Sequence, residues 1–153
     1  MDSLIHRGSH HTVSCEYDSA EACYIRIVDH YPDKPQGYFY LAANLQYKLL
    51  DHETNIWEDQ FRNYLEAAIE KGEALKACSR SDIWSDFHMG SAYAYMGLYE
   101  GKTGDLIRAF KDSKEGLRIF REIIDRDSTI YDAILGLGNY TFWTSKYLRV
   151  FFW

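Results

Sequence analysis

Between positions 85 and 99 the chain reads SDFHMGSAYAYMGLY, with small residues alternating with aromatic ones at helical spacing. Met89 and Gly90 are adjacent, Tyr93 follows about one turn later, and Gly97 closes the stretch. A helix written this way admits neighbours at close range, because its small residues let a second backbone approach while its aromatics fill the space beside the contact. Similar wording recurs three more times along the chain. The feature therefore predicts a series of short helices packed on one another.

Composition agrees with that class. Two prolines, ten glycines and the lack of alternating Val, Ile and Thr runs leave few places for strands or tight hairpins. A hydrophobic share of 46% is ample for a core in a chain of 153 residues. The expectation is an all-α fold of about seven helices. Two lie within residues 3–32, joined near Cys15 and Glu16, the second carrying Tyr24, Ile27 and Val28 on one face and stopping at Tyr31 and Pro32. Pro35 opens the third, whose Tyr38, Leu41, Ala42 and Leu45 fall at helical intervals. After extra residues at 51–56, a long helix from Trp57 to about Cys78 aligns Trp57, Phe61, Leu65, Ala68 and Leu75. A capped turn at 79–82 precedes the 85–99 helix, and 100–104 make a break. The sixth helix, 105–125, shows Ile107, Phe110, Leu117, Phe120 and Ile124 as its apolar face; the last, 130–148, carries Ile134, Leu137, Gly138, Phe142 and Trp143.

These positions carry a resemblance to the tetratricopeptide repeat, a helix-turn-helix unit of about 34 residues with the pattern W-x2-L-G-x2-Y, then A-x3-F, then P. Leu4, Gly8, Ala20, Tyr24 and Pro32 stand where that pattern wants a large residue, a glycine, an alanine, an aromatic and the proline, whereas Arg7 and His11 depart from it. Tyr38, Leu41, Ala42 and Leu45 match a second unit; Met89, Gly90, Tyr93, Gly97 and Tyr99 match a third, with Asp86 in place of the leading aromatic. Ile134, Leu137 and Gly138 begin a fourth. The chain as a whole is similar to uncharacterised bacterial multi-repeat proteins. The resemblance implies one domain over 1–153, stacked as a right-handed solenoid of antiparallel helix pairs. Its units would be 3–34, 35–80, 81–129 and a partial 130–148, followed by an apolar tail at 149–153.

The resemblance also implies a non-enzymatic scaffold, the first helix of each pair lining a concave groove. Carried onto this sequence, that groove is formed by Phe39, Ala43 and Tyr47, by Trp84, Phe87, His88, Ser91 and Tyr95, and by Leu135, Asn139, Phe142 and Trp143. Aromatic anchors of this kind suit a protein or peptide partner, an amphipathic helix above all. The Lys and Asn clamp with which chaperone-tail binders hold a terminal carboxylate is lacking. The bland reading of the same rings is core packing.

A net charge of −6 without a basic stripe argues against a nucleic-acid surface. Cys15, Cys23 and Cys78 form no close pair and read as reduced, buried thiols. His6, His10 and Cys15 have zinc-like spacing but no fourth ligand, and they define the rival reading, a helical-bundle enzyme or metal protein, for which His88 is the other candidate centre. Residues 97–103 fall one short of a phosphate-binding loop and follow a helix, so they read as an inter-helix turn. Glu66, Glu70 and Glu73 read as a solvated face. No catalytic residue, metal or cofactor is assigned. The N-terminus has no secretory core, which as written suggests the cytoplasm, an exported protein being the alternative if sequence is missing upstream. The apolar Phe151, Phe152 and Trp153 give a third reading, a segment of a longer repeat protein or one that self-associates through its end.

Overall fold

Pro35 fixes where the third helix begins: its ring presets a helical φ and holds the preceding Lys34 extended, at φ −99° and ψ 139°. Similar local signals punctuate the whole chain in a computed structural model that describes the backbone of residues 1–151 and the side chains of residues 1–142. Among these are seven helices and no strand: α1 (Asp2–Val13), α2 (Tyr17–His30), α3 (Pro35–Asp51), α4 (Glu58–Ala77), α5 (Ile83–Thr103), α6 (Leu106–Arg126) and α7 (Tyr131–Phe151). Asp105 caps α6 by accepting from the Arg108 amide at 3.1 Å.

Contacts divide the chain into two units, Met1–Ala92 and a second beginning at Tyr93, with α5 contributing its first half to one and its second half to the other. In the first, α1 packs on α2, α2 on α3 and α3 on α4, and α1 also touches α3. Ala20, Tyr24, Ile27 and Leu41 form a buried cluster, with Leu4, Val28 and Tyr40 against it. A hydrogen-bonded chain runs through this interior. Thr12 Oγ1 donates to Asn44 Oδ1 at 2.9 Å, and Asn44 Nδ2 donates to the Tyr17 carbonyl at 3.0 Å. Because the Thr12 proton is committed to Asn44, the Tyr24 hydroxyl, 3.2 Å away, is the donor to Thr12 Oγ1. One polar line thus ties α1, α2 and α3 in a single register. In the second unit, α6 packs on α7, and Leu117, Ile119, Phe120, Ile123 and Ala133 are buried.

Helix–helix approach is close where glycine meets a bulky neighbour. A Cβ added to Gly8 would lie 2.5 Å from Tyr24 Cε1, and one added to Gly72 would lie 2.6 Å from Met89 Cβ. Gly97 has the same role rather than the expected one of ending α5. Its Cα faces α6, with a notional Cβ 2.8 Å from the Ser113 amide nitrogen, and the helix continues to Thr103. The stop is Gly104, at φ +96°. The expected turn at 97–103 is therefore helical.

The apolar face of α6 also differs from its expectation. Ile107 is 85% exposed and Phe110 is exposed too, whereas Gly116, Leu117, Ile119, Phe120 and Ile123 are buried. Small residues, Ala109 and Ser113, take the contact with α5, because only they fit against Gly97. Of the thiols, Cys23 is buried but Cys15 and Cys78 are exposed.

Cys15 and Ser79 each follow a helix in the left-handed conformation, at φ 60° and 55°. Each closes a helix end in the same way: Cys15 and Glu16 amides donate to Thr12 and His11 carbonyls, and Ser79 and Arg80 amides donate to Lys76 and Leu75 carbonyls. That pair of bonds usually falls to glycine, since a Cβ there costs about 1–2 kcal/mol. Ser79→Gly is expected to stabilise the protein by about 1 kcal/mol. Gly72→Ala is expected to destabilise it by about 1–3 kcal/mol despite alanine's higher helix propensity. Thermal denaturation followed by circular dichroism checks both, and a Gly72→Ala protein as stable as wild type would contradict the close contact.

Candidate functional site

The first turn of α5 is built to hold its position. Asp82 stands just before it and accepts from the Ser85 amide at 2.7 Å, satisfying an otherwise orphaned helix-start donor. The other oxygen of Asp82 pairs with the Lys34 ammonium, which precedes α3. Ser85 Oγ accepts from both Lys34 Nζ and Gln36 Nε2 at 3.4 Å. The starts of α3 and α5 are thereby clamped side by side. Burial pulls the Asp82 carboxyl upward, but the bonds from Lys34 and from the Ser85 amide outweigh it and hold the group below its ordinary 3.8.

One turn further along both helices, this clamp brings aromatic rings together. His88 is 4% exposed, with its ring centroid 5.5 Å from Phe39, 5.2 Å from Tyr40, 5.3 Å from Phe87 and 6.5 Å from Trp84. Trp84 and Phe87 meet edge to face at 5.8 Å. His88 Nδ1 lies 2.6 Å from the Trp84 carbonyl, which can only accept, so Nδ1 carries the proton. Four of the sequence-predicted groove residues, Phe39, Trp84, Phe87 and His88, thus form one cluster, and Tyr40 joins it. Within it Phe39 and His88 are buried, Phe87 is partly buried and Trp84 is 46% exposed. Tyr47 lies two turns beyond Phe39 on α3 and is 50% exposed. Tyr95, Asn139 and Phe142 belong to the second unit, Asn139 and Phe142 being exposed there. Phe152 and Trp153, with the side chains of Trp143 and Phe151, fall outside what the structure describes. Tyr40 was missed because it falls on an unspecified position of the repeat pattern, between Tyr38 and Leu41, although it stands next to Phe39.

Apart from this cluster, a concavity of about 370 Å³ opens at the α1–α2 turn and is lined in part by Cys15, Tyr17, Asp18, Lys48 and His52. Lys48 is held by Asp18 at 3.1 Å and lies over the Trp57 ring at 4.7 Å. Burial first, then contacts with Cys15 and Asp51, push the Tyr17 hydroxyl well above its ordinary range, so it stays protonated. Residue spacing does not announce this constellation, which joins α2, α3 and the turn after α3. Among the described residues, no three His, Cys, Asp or Glu side chains are placed to hold a metal ion, and His6, His10 and Cys15 do not assemble. Nor is any helix there long and apolar enough to cross a membrane.

No protein-family model, no curated protein and no solved structure matches the chain.

The clamp yields its own test. Asp82→Ala removes both the cap and the Lys34 partner, and is expected to lower stability by about 1 kcal/mol at neutral pH. Since the folded carboxyl titrates below its ordinary value, that contribution is present above the carboxylate range and is lost as pH falls through it. Melting temperatures of wild type and variant should therefore converge in acid. A constant gap from pH 7 to pH 2 would argue that the Asp82 charge has no part in the clamp.

Proposed function

We infer that the chain is a non-enzymatic helical-repeat scaffold that receives an amphipathic helix of a protein partner on the face presented by α3 and the start of α5. The observation that carries this reading is the aromatic cluster. It offers a half-exposed indole on a base of packed rings, and both supporting helices are fixed by the Lys34–Asp82–Ser85 clamp. A large aromatic held rigid before binding loses little entropy on complex formation, which is what makes such residues anchors.

The repeat-like, right-handed solenoid arrangement is part of the same proposal. Its support is that Gly8, Ala20 and Tyr24, positions that carry the tetratricopeptide resemblance, are buried where α1 meets α2, with Gly8 directly against the Tyr24 ring. A further support is the order of contacts in the first unit: α3 touches α1, α2 and α4, and its Phe39 meets His88 of α5. Helix pairs stacked in series bring alternate helices together in this way.

Selection from a displayed library of amphipathic helical peptides tests the reading. Peptides enriched on wild type should bind Trp84→Ala about tenfold or more weakly, in line with the 1–2 kcal/mol or greater loss seen when an aromatic anchor is truncated. Equal helicity of the two proteins by circular dichroism separates lost binding from lost folding. Failure to enrich any peptide, or equal affinity of the variant, would overturn it.

A further inference from the structure

Gly97 and Gly101 stand one turn apart on the face of α5 that meets α6, and Glu100 lies between them on that face. A Cβ on Gly97 would fall 2.9 Å from the Ala109 carbonyl oxygen, and one on Gly101 would touch the Ala109 methyl at 3.7 Å. Helices this close shield an intervening side chain from water. Glu100 is accordingly only 7% exposed, and its Oε2 is buried without a hydrogen-bond partner.

The charged groups of α6 and its cap that face Glu100 are Asp112, Asp105 and Arg108. Arg108 is already engaged by Asp105, Nε to Oδ2 at 3.3 Å, so the nearest cation is shared. Asp112, one turn on from Ala109, presents a carboxyl directly to the Glu100 carboxyl. A buried carboxyl in contact with a partly buried one cannot ionise beside its charge without repulsion, whereas one proton between them makes a hydrogen bond.

We propose that the Glu100–Asp112 pair is a proton-operated latch between α5 and α6, shut while the pair holds a proton and loosened when the proton passes to water. The geometry supplies everything the latch needs. Glycines fix the approach, the approach buries Glu100, and burial forces the pair to choose between a shared proton and mutual repulsion.

Burial, the hydrogen bond with Asp112 and the Asp112 charge push the Glu100 carboxyl from its ordinary 4.5 up to about 7, against the smaller pull of Arg108. A folded state that holds a proton the unfolded chain releases is favoured at low pH. The contribution is therefore complete below about 4.5 and is lost as pH rises through about 7.

Carbon-13 NMR of the glutamate side-chain carboxyls in the whole protein, with melting temperatures between pH 5.5 and 8, tests the latch. The expected result is one carboxyl titrating near neutrality, absent from Glu100→Gln, and a wild-type melting temperature that falls across this window more steeply than that of the permanently neutral variant. Comparison with the variant removes the histidine titrations common to both. Should Glu100→Gln fail to fold, Asp112→Asn serves instead, and the midpoint of Glu100 should then move down. The proposal is overturned if every glutamate titrates at an ordinary midpoint, if the two pH slopes are equal, or if Asp112→Asn leaves the midpoint of Glu100 unmoved.

Discussion

Close approach of helix backbones across glycine is the constraint on which both units depend. Gly8 lies against Tyr24, Gly72 against Met89, Gly97 against Ser113 and Gly136 against Phe120, so each of these hairpins seats a missing side chain opposite a present one. Dispersion contacts grow with such fit, and any enlargement at the glycine forces the neighbour to move. The same closeness excludes water, and it decides how polar groups between the helices must be treated.

Two treatments are visible. Thr12, Asn44 and Tyr24 satisfy one another and the Tyr17 carbonyl, so the interior of the first unit has a polar line with one register. A slip of α3 against α1 or α2 would leave Asn44 buried with unmet bonds, at about 1–3 kcal/mol for each group. At Glu100 the interior offers another carboxyl instead of a donor, and the group answers by taking up a proton. The first arrangement specifies register; the second makes structure depend on a proton.

The aromatic cluster belongs to the same logic. Lys34, Asp82, Ser85 and Gln36 bind two helix starts together, and the rings one turn later meet because the starts are fixed. Phe39, Trp84, Phe87 and His88 were grouped in advance by the repeat resemblance alone. Their division into buried base and exposed edge was not legible, since spacing shows which residues share a face but not how deeply the neighbouring helix covers it. Ile107 and Phe110 show the converse. Hydrophobicity assigns them to the core, yet Ala109 and Ser113 take the contact because a glycine-bearing partner admits only small residues there.

The order and starts of the helices followed from the sequence alone, because Pro35, Asp82 and Asp105 act through their own backbone neighbours within three residues. Helix ends were less legible. Gly97 has the composition of a stop and serves as a contact, while Cys15 and Ser79, at junctions the sequence does place, adopt the left-handed conformation usually left to glycine and so close their helices. Whether a glycine ends a helix or receives another is decided by a partner distant in sequence. The pairing of Glu100 with Asp112 is likewise tertiary: twelve residues and a turn separate them, and only the packing of α5 on α6 brings their carboxyls together.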